Sequence, residues 1–439
     1  MNGGPRHKHA IVLSGGGAYG AYEVGVMKAL FSGDSPATER TPLNASIFSG
    51  TSVGSYNAAV MVSRPGEHSA DTAEYLESCW LNEIAESPVH CGNGVYRFRA
   101  NARNFVDGEC ITNHPLDPFI DLANDTSFFA QDWFNRALAF ASSNEPFGRR
   151  SIDLVDLSTV ISTDPFEEML RRTVDFGGIR RSDKKVMLAT TNMDEGEPRL
   201  FENHEMTDEI GYKVIMASSA VPGFFPPVEI GGNIYLDGGI TMNTPLRPAV
   251  RAGAETLHVI YMDPDVRTIP PERFQSTLNV LDRVIIVTFA STINRDIELA
   301  SSINRGLNLL AAGQRHENLF FDGEQGRRRR QAKVEEQVES FNQVADQIAE
   351  RLSKGTRYKK ITIHRYHPRQ DLGGVLGLLN FARDKAIELI DRGYRDTVEH
   401  DCGESGCTLP EGVKRPDLKL MWPTADWEDD ADDWEGNDD

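Results

Sequence analysis

Two segments near the start of the chain each place a tight glycine turn between an apolar run and an apolar helix pattern. The first, from Ala10, reads AIVLSGGGAYGAYEVGVMKAL, and the second, from Ala45, reads ASIFSGTSVGSYNAAVMVS. An apolar run before the turn and helical spacing after it predict a strand followed by a helix. Strands and helices that alternate in this way form a parallel sheet covered on both faces. This alternation therefore predicts an α/β protein with a mostly parallel central sheet.

Interruptions in this alternation of strand and helix patterns divide the rest of the chain into regions. Residues 67–150 lose it and are rich in Phe, Trp, Asn and Asp, which predicts a helical insertion, either a lid over the site or a packing elaboration. The strand pattern then returns, so we predict a catalytic domain over residues 8–265 that contains the insertion. Residues 266–400 are expected to form a mainly helical C-terminal extension packed on it. The acidic residues 401–439 are expected to be a disordered tail.

The charge of the chain restricts its partners. A net charge of -20 repels nucleic acid and anionic membrane surfaces, so no nucleic-acid partner is expected and any membrane contact must be local. The run Arg327–Arg330 is the one basic patch that could touch anionic lipid. A solvated helix start, or pairing with the chain's own acidic residues, is the alternative. No apolar run approaches the ~20 residues of a spanning helix, and no secretory leader is recognised. We expect a cytoplasmic protein, and any peripheral membrane contact would be made through a local patch.

The five cysteines, an odd number in a long chain, argue against a disulfide framework and for a reducing compartment. Cys402 and Cys407 lie close to His400 in the sequence. Because the second half of a zinc ligand set is missing near them, no metal site is predicted.

Gly50-Thr51-Ser52-Val53-Gly54 matches the G-x-S-x-G pattern of a nucleophile elbow, with an apolar run before it and a helix pattern after it. A sharp strand-to-helix turn strains the serine backbone, and the small Gly50 and Gly54 avoid clashes around it. The N-terminus of the following helix also favours negative charge that develops beside the serine. Ser52 is therefore the candidate nucleophile. An ordinary turn with a surface serine is the alternative.

A serine nucleophile needs a base, and no histidine of the chain lies in a turn-rich context. His258 falls in an apolar strand pattern typical of a core, and His364 looks like a surface position beside a terminal strand. Asp237, in IYLDGGI, ends a strand and precedes two glycines, at the edge where parallel sheets place their sites. An ordinary acidic turn residue is the alternative. An ordinary aspartate is a weak base, so we expect Asp237 to be buried, with a raised pKa, within hydrogen-bonding reach of Ser52.

The first glycine turn has two interpretations. Its spacing satisfies the G-x-G-x-x-G pattern of a dinucleotide site. Such a site requires an acidic residue at the end of a second strand. Glu39 lies at about the right distance along the chain but in a polar loop. The other interpretation is an oxyanion hole, which backbone N–H groups at a helix start can form. Its candidate donors are Gly15, Gly16, Gly17 and Val53.

In order along the chain, SGGGAYGAY, GTSVG and DGG resemble the motifs of the patatin-like phospholipases. The run from Ala217 to Pro245, ASSAVPGFFPPVEIGGNIYLDGGITMNTP, is also similar, and so is GLLNFARDKAIELIDRGYRD near the C-terminus. The resemblance implies a three-layer α/β/α fold and a catalytic dyad in which Ser52 is the nucleophile and Asp237 the base. It further implies a backbone oxyanion hole at the three glycines, and no metal or other cofactor.

The implied reaction is hydrolysis of an acyl ester in a phospholipid, lysophospholipid or neutral lipid through an acyl-enzyme. Many members of the family carry Arg or Lys where this chain has Tyr19, which leaves the headgroup preference open. An esterase acting on small soluble esters, and a lipid-binding regulatory protein on the same fold, remain alternatives. Aromatic side chains are candidates for lipid contact or for the acyl pocket: Tyr96, Phe98, Phe105, Phe119, Phe128, Phe129, Trp133, Phe224 and Phe225. Packing in the core is the alternative for Phe224 and Phe225.

Overall fold

The computed structural model describes residues 8–99, 108–142, 161–262, 304, 360–369, 372 and 377–409. Its centre is an eight-stranded sheet in the order β10-β9-β1-β2-β5-β8-β7, with β6 paired to β5. The strands of this sheet are β1 (His9–Leu13), β2 (Ala45–Thr51), β5 (Lys185–Asn192), β6 (Glu197–Glu202), β7 (Val228–Ile230), β8 (Asn233–Asp237), β9 (Thr256–Ile260) and β10 (Thr362–Tyr366). A separate two-stranded ribbon joins β3 (Arg97–Phe98) to β4 (Ile161–Ser162).

The strands from β10 to β5 are parallel, and the pairs that involve β6, β7 and β8 are antiparallel. Helices pack on this sheet, so the predicted α/β class with a mostly parallel sheet is confirmed. The helices are α1 (Gly20–Ser32), α2 (Val53–Ser63), α3 (Ser69–Cys79), α4 (Gly108–Asn113), α5 (Asp117–Ser142), α6 (Asp164–Thr173), α7 (Phe176–Arg181), α8 (Gly211–Ser218), α9 (Gly239–Met242), α10 (Leu246–Arg251) and α11 (Arg383–Val398).

Both glycine turns lead from a buried strand into a buried helix. Every residue of α2 is buried, which explains why its sequence is apolar all round rather than on one stripe. Helix α1 is buried on its outer side by α11. Their contact is close because a side chain at Gly25 would place its Cβ 1.9 Å from the carbonyl oxygen of Ile390. A side chain at Gly393 would likewise meet the carbonyl oxygen of Tyr22 at 2.1 Å.

Strand β5 determines where the candidate base lies. It pairs with β2 through Lys185–Ala189 and with β8 through Thr190–Asn192, while β6 pairs along Met187–Asn192. Because β6 occupies one edge of β5 opposite both of these stretches, β2 and β8 lie end to end along the other edge. The C-terminal end of β2, where Ser52 follows, is therefore brought beside the C-terminal end of β8, where Asp237 lies.

The insertion contains α3, a π-helical turn at Trp80–Ile84, α4 and the long α5. A disulfide joins Cys91 to Cys110, with Cα atoms 5.3 Å apart. This pairing corrects the expectation drawn from the cysteine count, because a count carries no information on which thiols the fold brings together. The count therefore gives no support for a reducing compartment. Within the insertion, the buried Arg97 binds Asp125 at 2.9 Å and ties β3 to α5.

The C-terminal part of the described chain completes the sheet. Strand β10 pairs in parallel with β9, and Thr408 pairs with Ile363 of β10. Residues 401–409, which the sequence assigns to a disordered tail, instead form a turn against this strand. Most of the mainly helical extension expected over residues 266–400, including the run Arg327–Arg330, lies outside the described residues. In the part of the chain that is described, no helix has the length and apolarity to cross a membrane.

Candidate active site

Ser52 lies at the junction of β2 and α2 in a left-handed backbone conformation, with φ at 54°. Conformations of this kind are rare for residues with a side chain, and they mark sites where the surroundings enforce them. Both flanking glycines are required. A Cβ at Gly50 would lie 2.1 Å from the carbonyl oxygen of Gly54, and a Cβ at Gly54 would lie 2.7 Å from that of Leu13. The geometry is that of the predicted elbow.

The backbone of Ser52 is held from the side of α8. Its N–H donates to the hydroxyl of Ser218 over 2.9 Å, and that hydroxyl donates to the carbonyl of Ala189 over 2.6 Å. Ser52 itself is 6% exposed, so it is shielded from bulk water but lines a cavity. The bridge through Ser218 connects the elbow to β5.

Asp237 is 1% exposed at the end of β8. Burial raises the pKa of its carboxyl to about 7, against the smaller lowering effects of hydrogen bonds from the Gly239 N–H and from the Ser52 side chain. The Gly239 N–H donates to Oδ1 over 2.6 Å, which orients the carboxyl group. The structure thus places Asp237 where it was expected, buried, with a raised pKa and within hydrogen-bonding reach of Ser52. Its role as the base stays a prediction.

The first glycine turn packs against Ser52 and Asn243. A Cβ on Gly15 would lie 3.0 Å from that of Ser52 and 2.5 Å from Oδ1 of Asn243. The Gly15 N–H is already used, because it donates to the backbone and side-chain oxygens of Asn243, each over 3.2 Å. Within the described chain, the N–H groups of Gly16 and Gly17 have no such acceptor. The next turn, Gly17–Tyr19, leads directly into α1.

A buried polar network supports the turn from behind. Trp80 donates to Asn57 over 2.9 Å, and Asn57 donates to the carboxylate of Glu23 over 2.7 Å and to the carbonyl of Gly20 over 3.1 Å. Glu23 is fully buried, and desolvation raises its pKa well above the usual value. These contacts join α1, α2 and the end of α3, the elements that carry the two glycine turns.

Ser52 and Asp237 open into one cavity of about 390 Å³. Its walls are mainly apolar and include both phenylalanines, Phe224 and Phe225, that the sequence suggested for an acyl pocket. Tyr19 and the C-terminal residues Leu378 and Phe381 also line it. Lys213 is the single cationic side chain in the wall among described residues.

Sequence reasoning missed three supporting residues: Ser218, Asn243 and Asn57. Each acts by contact with a segment distant in the chain, so no local spacing marks it. Asn243 sits in ITMNTP, directly after the DGG motif, which is the one signal that could have singled it out. The dinucleotide interpretation loses support, because Asn243 occupies the Gly15 N–H that a pyrophosphate would need.

Comparison with known proteins gives three findings. The family model described as Patatin-like phospholipase matches residues 11–250, which include both glycine turns and Asp237. A curated relative, "Uncharacterized protein YjjU" of Escherichia coli (strain K12), is 37% identical over 94 residues. That match covers 21% of this chain and 24% of the relative, about a quarter of its length. Among solved structures, VipD from Legionella pneumophila aligns with 15% identity and a TM-score of 0.32 over 88% of this chain and 67% of that one.

Proposed function

The chain belongs to the patatin-like phospholipase family, and from this premise we propose that it is a serine lipid acyl hydrolase of the phospholipase A or lysophospholipase kind. The observation that carries the proposal is the pair formed by a strained Ser52 and a buried Asp237 at the wall of an apolar cavity. A nucleophile, a base and a place for an acyl chain are the three parts that such a reaction needs.

In the proposed reaction, Ser52 Oγ attacks the ester carbonyl while the Asp237 carboxylate takes the hydroxyl proton. The tetrahedral intermediate collapses, its C–O bond to the alcohol breaks, and Asp237 returns the proton to the leaving alkoxide. Water then attacks the acyl-enzyme while Asp237 takes its proton, the C–O bond to Ser52 Oγ breaks, and Asp237 returns the proton to Oγ as the fatty acid leaves. A pKa of about 7 suits this role, because a base works best when its pKa is near the working pH.

The oxyanion of the intermediate needs donors aimed at it. Of the predicted donors, Gly15 is the least suited, since its N–H already binds Asn243. We assign the role to the N–H groups of Gly16, Gly17 and Val53. Gly15 instead lets the turn approach the Ser52 Cβ closely.

Membrane contact is proposed for α5 and the segment before it. Large apolar side chains are exposed there, including Leu116, Phe119, Trp133 and Phe134. A chain with net charge -20 gains little from anionic headgroups, so contact with the bilayer would rest on such apolar side chains.

A neutral acyl ester is the second candidate substrate. Tyr19 lines the cavity in the place where many family members carry a cation, and a phosphate headgroup gains most from a charged partner. Among the described residues of the wall, Lys213 is the one cation that could bind a phosphate headgroup. Comparing the rates of phospholipid and neutral-lipid hydrolysis distinguishes the two candidate substrates.

Product analysis on mixed lipids tests the proposal. Vesicles that contain phospholipid, lysophospholipid and diacylglycerol are incubated with the enzyme, and released fatty acids and residual lipids are quantified by mass spectrometry. We expect Ser52→Ala to lower hydrolysis at least about a thousand-fold, because the nucleophile is removed. The matched control is Ser78→Ala on the exposed face of α3, which keeps full activity. Unchanged hydrolysis by folded Ser52→Ala would rule out the serine mechanism.

A further inference from the structure

Four metal-ligating side chains from two segments of the chain converge at the edge strand β10, three strands away from β2. His364 lies in the middle of β10, His400 follows α11, and the turn after it carries Cys402 and Cys407. One ligand atom of each lies within 4.8 Å of the other three. We propose that these residues form a structural zinc site. The proposal is independent of the lipid hydrolase activity.

The spacing of the ligand atoms fits a tetrahedral ion. Zn–S bonds of about 2.3 Å and Zn–N bonds of about 2.0–2.1 Å at tetrahedral angles place sulfur and nitrogen about 3.5 Å apart. Cys402 Sγ lies 3.4 Å from Nδ1 of His364 and 3.6 Å from Nε2 of His400. Cys407 Sγ lies 3.4 Å from that same Nε2. Three edges of the tetrahedron thus have the required length.

The donor set indicates zinc. Two thiolates and two imidazoles in tetrahedral array are a zinc-type set, and the C-x4-C spacing of Cys402 and Cys407 is within the range of structural sites. Two thiolates also balance the charge of the dication, so the bound site is neutral. This balance matters because His364 and His400 are buried. The burial of His364 corrects the surface position expected from its sequence context.

Neighbouring groups orient the ligands as metal sites require. The Ser405 hydroxyl lies 3.4 Å from Nδ1 of His400, so it can hold that ring with Nε2 turned to the ion. The backbone N–H of Arg365 donates to Cys407 Sγ over 3.4 Å, a contact that favours the thiolate. The ring of Tyr366 packs against the His400 ring with centroids 4.6 Å apart.

The turn that presents the cysteines is built by its own backbone contacts. The Asp401 carboxylate accepts from the N–H groups of Gly403 and Glu404, over 2.7 and 2.9 Å. The Cys407 N–H donates to the carbonyl of Cys402 over 3.0 Å, which brings both cysteines to one side. Thr408, which follows Cys407, pairs with Ile363 of β10, so the turn is held directly beside His364.

A closed set of four protein ligands leaves no position for substrate, which is the arrangement of structural zinc. The ion would join the C-terminal end of α11 to the sheet. Helix α11 covers α1, and residues just before α11, such as Leu378 and Phe381, line the cavity. By holding the end of α11, the zinc site would stabilise this wall of the cavity. The sequence did not reveal the site because His364 lies 38 positions before Cys402.

Metal analysis of the purified full-length protein tests the proposal. Elemental mass spectrometry is expected to find about one zinc per chain after dialysis against metal-free buffer. Cys402→Ser and His364→Gln should each lower this content at least about tenfold, since each removes a ligand. Cys79→Ala removes a buried thiol outside the cluster and should leave the content unchanged.

Cobalt replacement keeps the test independent of how well the variants fold. Wild-type protein stripped of zinc and loaded with Co²⁺ should show the intense visible bands of tetrahedral cobalt together with thiolate-to-cobalt charge transfer. Wild-type protein that takes up neither zinc nor cobalt would overturn the proposal, as would a native Cys402–Cys407 disulfide found by peptide mapping. Neither readout depends on hydrolysis, so failure of this site and failure of the proposed activity are distinguishable.

Discussion

Ser52 holds a backbone conformation that costs roughly 1–3 kcal/mol for a residue with a side chain. The surrounding contacts maintain it: the Ser52 N–H donates to the Ser218 hydroxyl, and Gly50 approaches Gly54 too closely for any side chain at Gly50. Asp237 is also costly, because its carboxyl group is buried and no described residue supplies a cationic partner for it. Both residues therefore destabilise the fold where they are proposed to act.

Replacing Asp237 by Asn tests this cost. The folded-state pKa of about 7 lies above the unfolded value near 3.8, so native protein keeps a proton that unfolded protein has lost. Stability contributed by this group is complete below about pH 4 and is lost as the pH rises through about 7. Asp237→Asn should therefore be more stable than wild type at pH 8, by as much as roughly 4 kcal/mol, and nearly equal to it at pH 4.

Urea denaturation at the two pH values measures the difference. Asn keeps an oxygen for the Gly239 N–H, so the comparison isolates the ionisation. Asp71→Asn, on the exposed first turn of α3, is the matched control. A difference between Asp237→Asn and wild type that does not change with pH would show that the carboxyl ionises freely in the folded protein.

The candidate residues differ in how far the sequence reveals them. Ser52 and Asp237 are predictable because their geometry depends on adjacent glycines, which appear in the local sequence. Ser218 and Asn243 are not, because they act on residues 166 and 228 positions away. A polar residue at the end of a helix or after a turn has many ordinary explanations. Only the pairing of distant segments gives these two a role.

Among the elements, α5 departs most from what a folded domain normally exposes. Phe119 is 63% and Trp133 73% exposed, whereas its Asp125 is buried against Arg97. The helix thus turns a charge inward and aromatic rings outward, the reverse of the usual arrangement for a surface helix. The sequence predicted a helical insertion rich in aromatic residues, but which rings are exposed depends on the ion pair with β3.

The double variant Phe119→Ala/Trp133→Ala tests membrane contact by α5. We expect its affinity for zwitterionic phosphatidylcholine vesicles to fall at least about tenfold, because two apolar side chains no longer enter the interface. Vesicle co-sedimentation measures this. Hydrolysis of a soluble short-chain ester should stay unchanged.

The matched control for this pair is Ile387→Ala, which removes an exposed apolar side chain from α11. Equal vesicle binding by wild type and the double variant would show that α5 is not the contact surface.

At the scale of the whole molecule, the C-terminal part is joined to the site. The matched family segment ends at residue 250, and the domain predicted from sequence ends at 265. Yet β10 extends the sheet beyond β9, and α11 covers α1. A Cβ on Gly17 would lie 2.4 Å from the carbonyl oxygen of Leu378, and the Tyr96 hydroxyl donates to that of Leu379 over 2.9 Å. The sequence does not reveal these contacts, because the alternation of strand and helix patterns indicates where elements lie along the chain but not which elements pack together.

A chain that ends at residue 265 should therefore be unstable and inactive, although it contains Ser52 and Asp237. It lacks β10, α11 and one wall of the cavity, so the apolar outer side of α1 and the edge of β9 would face water. Circular dichroism and thermal melting measure the effect against a chain that ends at residue 409, which keeps every contact described above. We expect the longer chain to melt like the full-length protein and the shorter one to show no cooperative transition. Cooperative melting and ester hydrolysis by the shorter chain would show that residues 8–265 fold alone, and that the C-terminal wall is dispensable.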